Sequence, residues 1–207
     1  SFYRYLVLVG VVVADPSASI KPPRVQHRPG LVLDVEEVRA LLNASGGSQR
    51  ERIQTFLLVY TAARAGELRR LRWSDIDFAH STMTLVGKRG KVRVVDIHPH
   101  LMAALRRWYL YQDHEAERNA ALRGAKSDAD TDLVLLTRTG KSVAKTVIAE
   151  QLKRRAVRAG VRVRITPAGE AVTAVSPHAL RRTFATILLD EGHHIDAIAD
   201  VLGHRLA

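Results

Sequence analysis

Three short basic motifs, widely separated along the chain, hold the residues best suited to chemistry on an anion. They are Ala-Arg-Ala-Gly-Glu-Leu at 63–68, His-Ala-Leu-Arg at 178–181 and Leu-Gly-His at 202–204. Together they supply two arginines and two histidines. A guanidinium offers a planar fork of donors that grips two oxygens of a phosphate, and it stays charged at any working pH. The set therefore indicates a site for a phosphodiester.

Each motif also has a plainer interpretation when taken alone. His178 and Arg181 follow Ser-Pro, a typical helix start, so they share one face near backbone amides that favour an anion. In isolation, such an arginine more often pairs with a surface carboxylate, and the histidine only caps the helix. Arg64 follows an apolar run, where a solvated arginine is unusual, and a buried ion pair with Glu67 explains it equally well. Only the combination of the motifs favours a phosphate site over these plainer interpretations.

The combination resembles the tyrosine recombinases, the phage integrase family of site-specific DNA recombinases. The resemblance covers nearly the whole chain and includes the run 61–77 and a hairpin sequence, Gly-Lys-Arg-Gly-Lys-Val-Arg-Val-Val, at 87–95. It implies a mainly α fold with a small antiparallel β-sheet (α+β), the catalytic-domain fold of this family. It also implies DNA integration or excision by strand exchange. A tyrosine attacks a phosphate, forms a 3′-phosphotyrosyl link and frees a 5′-hydroxyl, and a 5′-hydroxyl of a partner duplex reverses the step.

The resemblance assigns catalytic roles to Arg64, Lys88, His178, Arg181 and His204. The arginines stabilise the pentacoordinate transition state, His178 exchanges a proton with the tyrosine, and His204 hydrogen-bonds a non-bridging oxygen. Lys88, at the hairpin tip, protonates the departing 5′-oxygen, because an ammonium can lose its proton and a guanidinium cannot. Lys91 is its nearby competitor, and Glu67 orients the loop without contacting DNA. No metal or other cofactor is implied, since the arginines neutralise the charge that Mg²⁺ handles in other phosphoryl-transfer sites.

One residue of the family pattern is absent from this sequence. In the family the nucleophilic tyrosine follows Leu-Gly-His shortly downstream, whereas the sequence ends at Ala207. The 207-residue chain is therefore expected to be inactive in cleavage. Two rivals stay open: a truncated or decayed integrase that acts only as a DNA-binding module, and a type IB topoisomerase, which shares the chemistry but relaxes one duplex. A generic basic helical protein would require a coincidence of four motifs.

The composition indicates a polyanionic partner. The chain has 32 Lys and Arg against 21 Asp and Glu, a net charge of +11 and a pI near 10.5, so a nucleic acid is the leading candidate. The resemblance implies that this partner is double-stranded DNA. The chain has no cysteine, which excludes disulfides and thiolate metal sites. Its longest apolar run, 5–14, is shorter than the about 20 residues that cross a bilayer, so no membrane partner is expected. Candidates for DNA-backbone contacts are Lys91, Arg93, Lys153, Arg154 and Arg155.

The elements that must position these residues follow from hydrophobic spacing and turn signals. Residues 1–14 resemble the end of the family's N-terminal core-binding, DNA-clamping domain, proline-rich 15–33 predicts a linker, and 34–207 predicts a catalytic domain lacking its C-terminal end. Helices are predicted at 35–44, 49–60, 101–111, 147–159 and 195–202, with a short one after Arg64. A further helix is predicted to begin at Pro177, with Ser176 as its N-cap, and to be closed by Gly192. Strands are predicted at 83–86 and 92–97, and polar 112–132 predicts a solvated helix end and loop. We expect a cytoplasmic protein, bacterial or phage-encoded, that forms a synaptic tetramer on DNA when full length.

Overall fold

The fold combines eight α-helices with two small antiparallel sheets in the part of the chain that the computed structural model describes, residues 2–20, 30–87, 90–118, 132–137 and 140–203. The helices are α1 Phe2–Leu8, α2 Val35–Asn43, α3 Gln49–Thr61, α4 Ala65–Leu68, α5 Pro99–Arg118, α6 Lys145–Arg158, α7 Pro177–Asp190 and α8 Ile195–Leu202. Strands β1 Ile76–Asp77, β2 Thr82–Val86 and β3 Val92–Asp96 form one sheet in that order, and β4 Val163–Ile165 pairs with β5 Ala171–Thr173. The predicted mainly α fold with a small antiparallel sheet is confirmed.

Local capping residues set the starts of the helices. Asp34 accepts a hydrogen bond from the Glu37 amide at 2.8 Å, and the Glu37 carboxylate accepts one from the Asp34 amide at 3.0 Å. This reciprocal pair satisfies two otherwise unpaired donors at the start of α2. At α7, the Ser176 hydroxyl accepts from the Ala179 amide at 3.2 Å, and Pro177 occupies the first helical position. Both predicted helix starts are confirmed, and the second places His178 in the first turn of α7.

Helix α3 is the central element of the core. Its buried residues include Ile53, Leu57 and Leu58, which are 3%, 0% and 1% exposed. It packs against α2, α5, α6 and α7. Truncation of such a fully buried leucine to alanine typically costs about 2–5 kcal/mol of stability. The end of α3 is therefore held rigidly, and the chain continues from it directly to Arg64.

The structure differs from the sequence-based boundaries in two places. Helix α5 begins at Pro99 and continues to Arg118, so the helix predicted at 101–111 is too short. No glycine or proline stops it, and polar residues alone do not end a helix; the rest of the polar stretch, 119–131, lies outside the described residues. The β4–β5 hairpin was not predicted, because three-residue strands give little alternation to detect.

The N-terminal part of the chain carries the proposed domain boundary. Helix α1 buries none of its side chains, whereas Leu33, at the end of the predicted linker, is 3% exposed. The Leu33 amide donates to the Thr183 hydroxyl on α7 at 2.9 Å. Leu33 is therefore part of the core. The division into remnant, linker and catalytic domain stays a prediction. No helix in the described ranges is long and apolar enough to span a membrane.

Candidate active site

Arg64 stands at a sharp turn between α3 and α4. Ala62, at the end of α3, has a left-handed backbone with φ 49°. This conformation redirects the chain, and Arg64 occupies the N-cap position of α4. The Glu67 carboxylate accepts from the Arg64 amide at 3.0 Å and from Arg64 Nη1 at 2.8 Å. The Arg64 side chain remains 37% exposed while that of Glu67 is 2% exposed. The ion pair considered from the sequence is present, and the arginine is still accessible to a ligand.

Glu67 is a buried carboxylate that stays ionised. Burial raises its pKa, but hydrogen bonds from the Arg64 amide and guanidinium and from Arg93 outweigh that effect, and the pKa lies below the usual range of a glutamate. The carboxylate is consequently charged at neutral pH and holds Arg64 in place.

Arg181 joins the ends of α3 and α8. Its Nη1 donates to the Ala62 carbonyl at 2.8 Å, and its Nη2 donates to the Leu202 carbonyl. The residue is only 7% exposed. Burial, together with the positive charges of Arg64 and Arg93, lowers the pKa of Arg181 to about 10, while Glu67 opposes the shift. Arg181 is therefore charged at neutral pH, and the two carbonyls use two of its five N–H donors.

Of the three other predicted catalytic residues, the structure describes only His178. His178 is exposed, one turn before Arg181 on α7, so the two side chains lie on the same side of that helix. Lys88 and His204 lie outside the described residues. Their preceding neighbours, however, lie beside Glu67 and Arg93: a Cβ on Gly87 would lie 3.4 Å from Glu67 Oε1, and a Cβ on Gly203 would lie 3.1 Å from Arg93 Cδ. The convergence of all five residues stays a proposal.

Two of the predicted DNA-backbone contacts, Arg155 and Arg93, have side chains that are buried and already bound by acceptors of the protein itself. Arg155 is 1% exposed and donates from Nε to the Leu41 carbonyl at 2.7 Å and from Nη2 to the Leu42 carbonyl at 2.9 Å. The Arg93 side chain is 8% exposed and is paired with Glu67 at 3.0 Å. Their hydrogen bonds to protein acceptors give both arginines a structural role, and contact with the DNA backbone stays a prediction for each. By contrast, Lys91, Lys153 and Arg154 are exposed and remain available.

Sequence reasoning missed one cation near Arg64. The exposed Lys145 begins α6, and its Cε lies 3.1 Å from the position of a Cβ on Gly66. Its alkyl stem thus packs on the α4 turn. Lys145 belongs to no motif, so only the fold reveals its position. Within the described ranges, no cluster of three or more His, Cys, Asp and Glu side chains could hold a metal ion.

Comparison with known proteins identifies the family. The profile of the phage integrase family matches residues 32–206, so the chain belongs to that family, and the resemblance seen in the motifs is confirmed. Tyrosine recombinase XerC of Xanthomonas campestris pv. campestris strain B100 is 28% identical over 207 residues, covering 99% of this chain and 57% of the relative. XerC of Roseiflexus sp. strain RS-1 is 32% identical over 209 residues, covering 99% and 61%. The chain thus spans about three fifths of the length of these relatives.

Solved structures agree on the fold. A crystal structure of XerA recombinase superposes with a TM-score of 0.67 and 28% identity, covering 90% of this chain and 58% of that one. A lambda integrase (75–356) dimer bound to a COC′ core site gives a TM-score of 0.67 at 15% identity, covering 99% and 68%. The second likeness establishes the shared fold alone, and the predicted tyrosine recombinase catalytic-domain fold is confirmed.

Proposed function

We propose that this chain is the catalytic part of a site-specific DNA recombinase that cleaves and rejoins DNA through a 3′-phosphotyrosyl intermediate. The observation that carries the proposal is the bond from Arg181 to Ala62, across 119 residues of sequence, which sets Arg181 beside Arg64. Burial, and then repulsion from the positive charges of Arg64 and Arg93, lowers the pKa of Arg181. A bound phosphodiester would relieve that repulsion, and the extra negative charge of a pentacoordinate phosphorane would relieve it further.

Each proposed catalytic residue has a defined task in this reaction. Arg64 and Arg181 bind the non-bridging oxygens, and His204 adds a hydrogen bond to one of them. The tyrosine oxygen attacks phosphorus and passes its proton to His178, the P–O5′ bond breaks, and Lys88 protonates the leaving 5′-oxygen. Rejoining reverses these transfers with a 5′-hydroxyl of the partner duplex. The phosphotyrosyl bond conserves the energy of the phosphodiester, so no nucleotide hydrolysis is required.

Double-stranded DNA is the proposed substrate. The net charge of +11 and the exposed cations Lys91, Lys145, Lys153 and Arg154 supply backbone contacts that are independent of sequence. A structural neighbour, the lambda integrase dimer, is bound to a core site. We further propose that the full-length protein assembles into a synaptic tetramer on DNA and acts in the bacterial cytoplasm. The 207-residue chain alone, which has no tyrosine after His204, is proposed to bind DNA without cleaving it.

The test separates cleavage from binding. A duplex site is first selected from a random library, and a nicked version of it then traps the covalent complex formed by a chain continued past Ala207 to the tyrosine. Arg64→Ala and Arg181→Lys should each slow cleavage by about 10²–10³ at saturating protein, because each removes a donor aimed at developing charge. Duplex affinity should change only slightly, since many other cations hold the backbone.

Arg154→Ala is the matched control. It removes one exposed cation of the same type outside the site, so it should weaken binding and leave the cleavage rate of the saturated complex unchanged. Equal losses of cleavage and binding in the Arg64 and Arg181 variants would contradict the proposed function.

A further inference from the structure

Arg93 occupies an inward position on β3. Successive side chains of a strand point to opposite faces. Val92 and Val94 are each 62% exposed, whereas Val95, two residues beyond Arg93, is 8% exposed. The Arg93 side chain shares the buried face, since it is also 8% exposed. A cation stands where the strand pattern would otherwise place an apolar core residue, so a buried acceptor must compensate for its charge.

The acceptors of Arg93 come from three separate elements. Nη2 donates to Glu67 Oε2 on α4 at 3.0 Å, and Nη1 donates to the Val201 carbonyl at the end of α8 at 2.6 Å. Both nitrogens also lie 3.4 Å from the Thr61 carbonyl at the end of α3. Helix C-termini carry unpaired carbonyls and partial negative charge, which a guanidinium satisfies. One side chain therefore ties α4, α3 and α8 together.

Arg93 and Arg181 both hydrogen-bond backbone carbonyls at the ends of α3 and α8, but they differ in one contact. Arg181 binds the carbonyls of Ala62 and Leu202, the residues that follow Thr61 and Val201. Of these two arginines, Arg93 is the one that hydrogen-bonds Glu67. Because the Glu67 carboxylate also holds the amide and guanidinium of Arg64, Arg93 connects the position of Arg64 to the end of α8.

We propose that Arg93 is a positioning residue of the phosphate site. It acts through Glu67 to fix the position of Arg64 relative to the end of α8, the segment that leads to His204. It contacts no substrate. The inference rests on the proposed function, because it presumes that Arg64 and Arg181 hold a phosphate. The inference also predicts a specific pH dependence. Among the described residues, the charges that act on or interact with Glu67 are Arg64 just before α4, Arg93 on β3 and Arg181 on α7. Without Arg93, Glu67 should take up a proton at higher pH and release Arg64.

The test measures binding of dimethyl phosphate to the 207-residue chain by ³¹P NMR across the acidic range. This diester keeps one negative charge throughout, so any change in its binding reports on the protein. Arg93→Gln should weaken binding about tenfold, the effect of losing one hydrogen bond to a charged group, and should raise the pH below which binding is lost. Arg93→Lys keeps the positive charge but loses the planar set of guanidinium donors. It should therefore weaken dimethyl phosphate binding by a smaller factor and leave the pH midpoint near that of the wild type.

Two comparisons make the outcome decisive. Arg164→Gln removes one exposed arginine from a different strand, β4, and should leave dimethyl phosphate binding and its pH midpoint unchanged. Wild-type affinity and pH midpoint in Arg93→Gln would overturn the inference, and if that variant does not fold, wild-type affinity in Arg93→Lys would do so. If Arg64→Gln leaves dimethyl phosphate binding intact, the proposed function fails instead, so the two failures are distinguishable.

Discussion

Replacing Arg155 by methionine should destabilise the fold without removing a DNA contact. The guanidinium donates to the carbonyls of Leu41 and Leu42, which end α2, and lies 3.9 Å from Glu51. Methionine fills much of the same volume but offers no donor. The substitution thus removes the donors to these two carbonyls and one of the cations near Glu51, which is also paired with Arg158.

The size of the effect follows from these contacts. Each charge-assisted hydrogen bond contributes about 1.5–3 kcal/mol, and the two are not additive, since they share one guanidinium. Removing the burial penalty of the arginine, whose pKa is lowered by desolvation and by the charge of Arg52, offsets part of the loss. The expected decrease in the free energy of unfolding is about 2–4 kcal/mol. In a chain of this size that corresponds to a fall in melting temperature of roughly 5–15 °C.

Urea denaturation and duplex binding, both measured where the variants are folded, test this expectation. Arg154→Met is the control, because the neighbouring side chain is 69% exposed and its nearest partner, Glu150, is 3.9 Å away. It should change stability by no more than about 0.5 kcal/mol and should weaken duplex binding. If Arg155→Met instead unfolds like the wild type and loses duplex affinity as Arg154→Met does, Arg155 is a DNA contact after all and the reasoning from burial is refuted.

Three further predictions concern salt, acid and covalent chemistry. Duplex affinity should fall steeply with salt, and Lys153→Gln or Arg154→Gln should each reduce the slope of log affinity against log salt by about 1, whereas a flat salt series would contradict this. Because the folded-state pKa of Glu67 is lowered, its stabilisation should be complete above about pH 4.3 and lost as pH falls through that lowered pKa. The urea midpoints of wild type and Glu67→Gln should therefore converge in acid, and a difference that is independent of pH would refute the assignment. The 207-residue chain should form no DNA adduct that survives denaturing electrophoresis, and an adduct mapped to one of its five tyrosines would overturn that expectation.

Short sequence signals, such as capping residues and paired glycines, predicted the helices and the hairpin. The predicted boundary was wrong where no such signal marks the end of an element. The starts of α2 and α7 are encoded by Asp34 and Ser176 with their neighbours, so the sequence alone locates them. The β2–β3 hairpin follows from two short apolar runs around paired glycines. The end of α5 has no such signal, and its polar sequence is compatible with either helix or loop. Its extension to Arg118 therefore required the structure.

The candidate site was predictable where it depends on spacing and not where it depends on tertiary contacts. Arg64 and Glu67 are three residues apart, so their pairing was an available interpretation. In the sequence, Arg155 belongs to a cluster of basic residues, yet Ile148 and Leu152 precede it at helical spacing and mark the buried face of α6 that it shares. Arg93 shares the inward face of β3 with Val95 in the same way. Face periodicity indicates burial, but only the fold shows which carbonyls compensate for the charge.

The central claim is that Arg64 and Arg181 hold one phosphate of a DNA duplex. A crystal structure of the 207-residue chain on a selected duplex site tests it directly. We predict that a single backbone phosphate accepts hydrogen bonds from both guanidiniums, with His178 facing the same phosphate. Arg64 and Arg181 bound to different phosphates, or DNA lying on another surface of the chain, would contradict the claim.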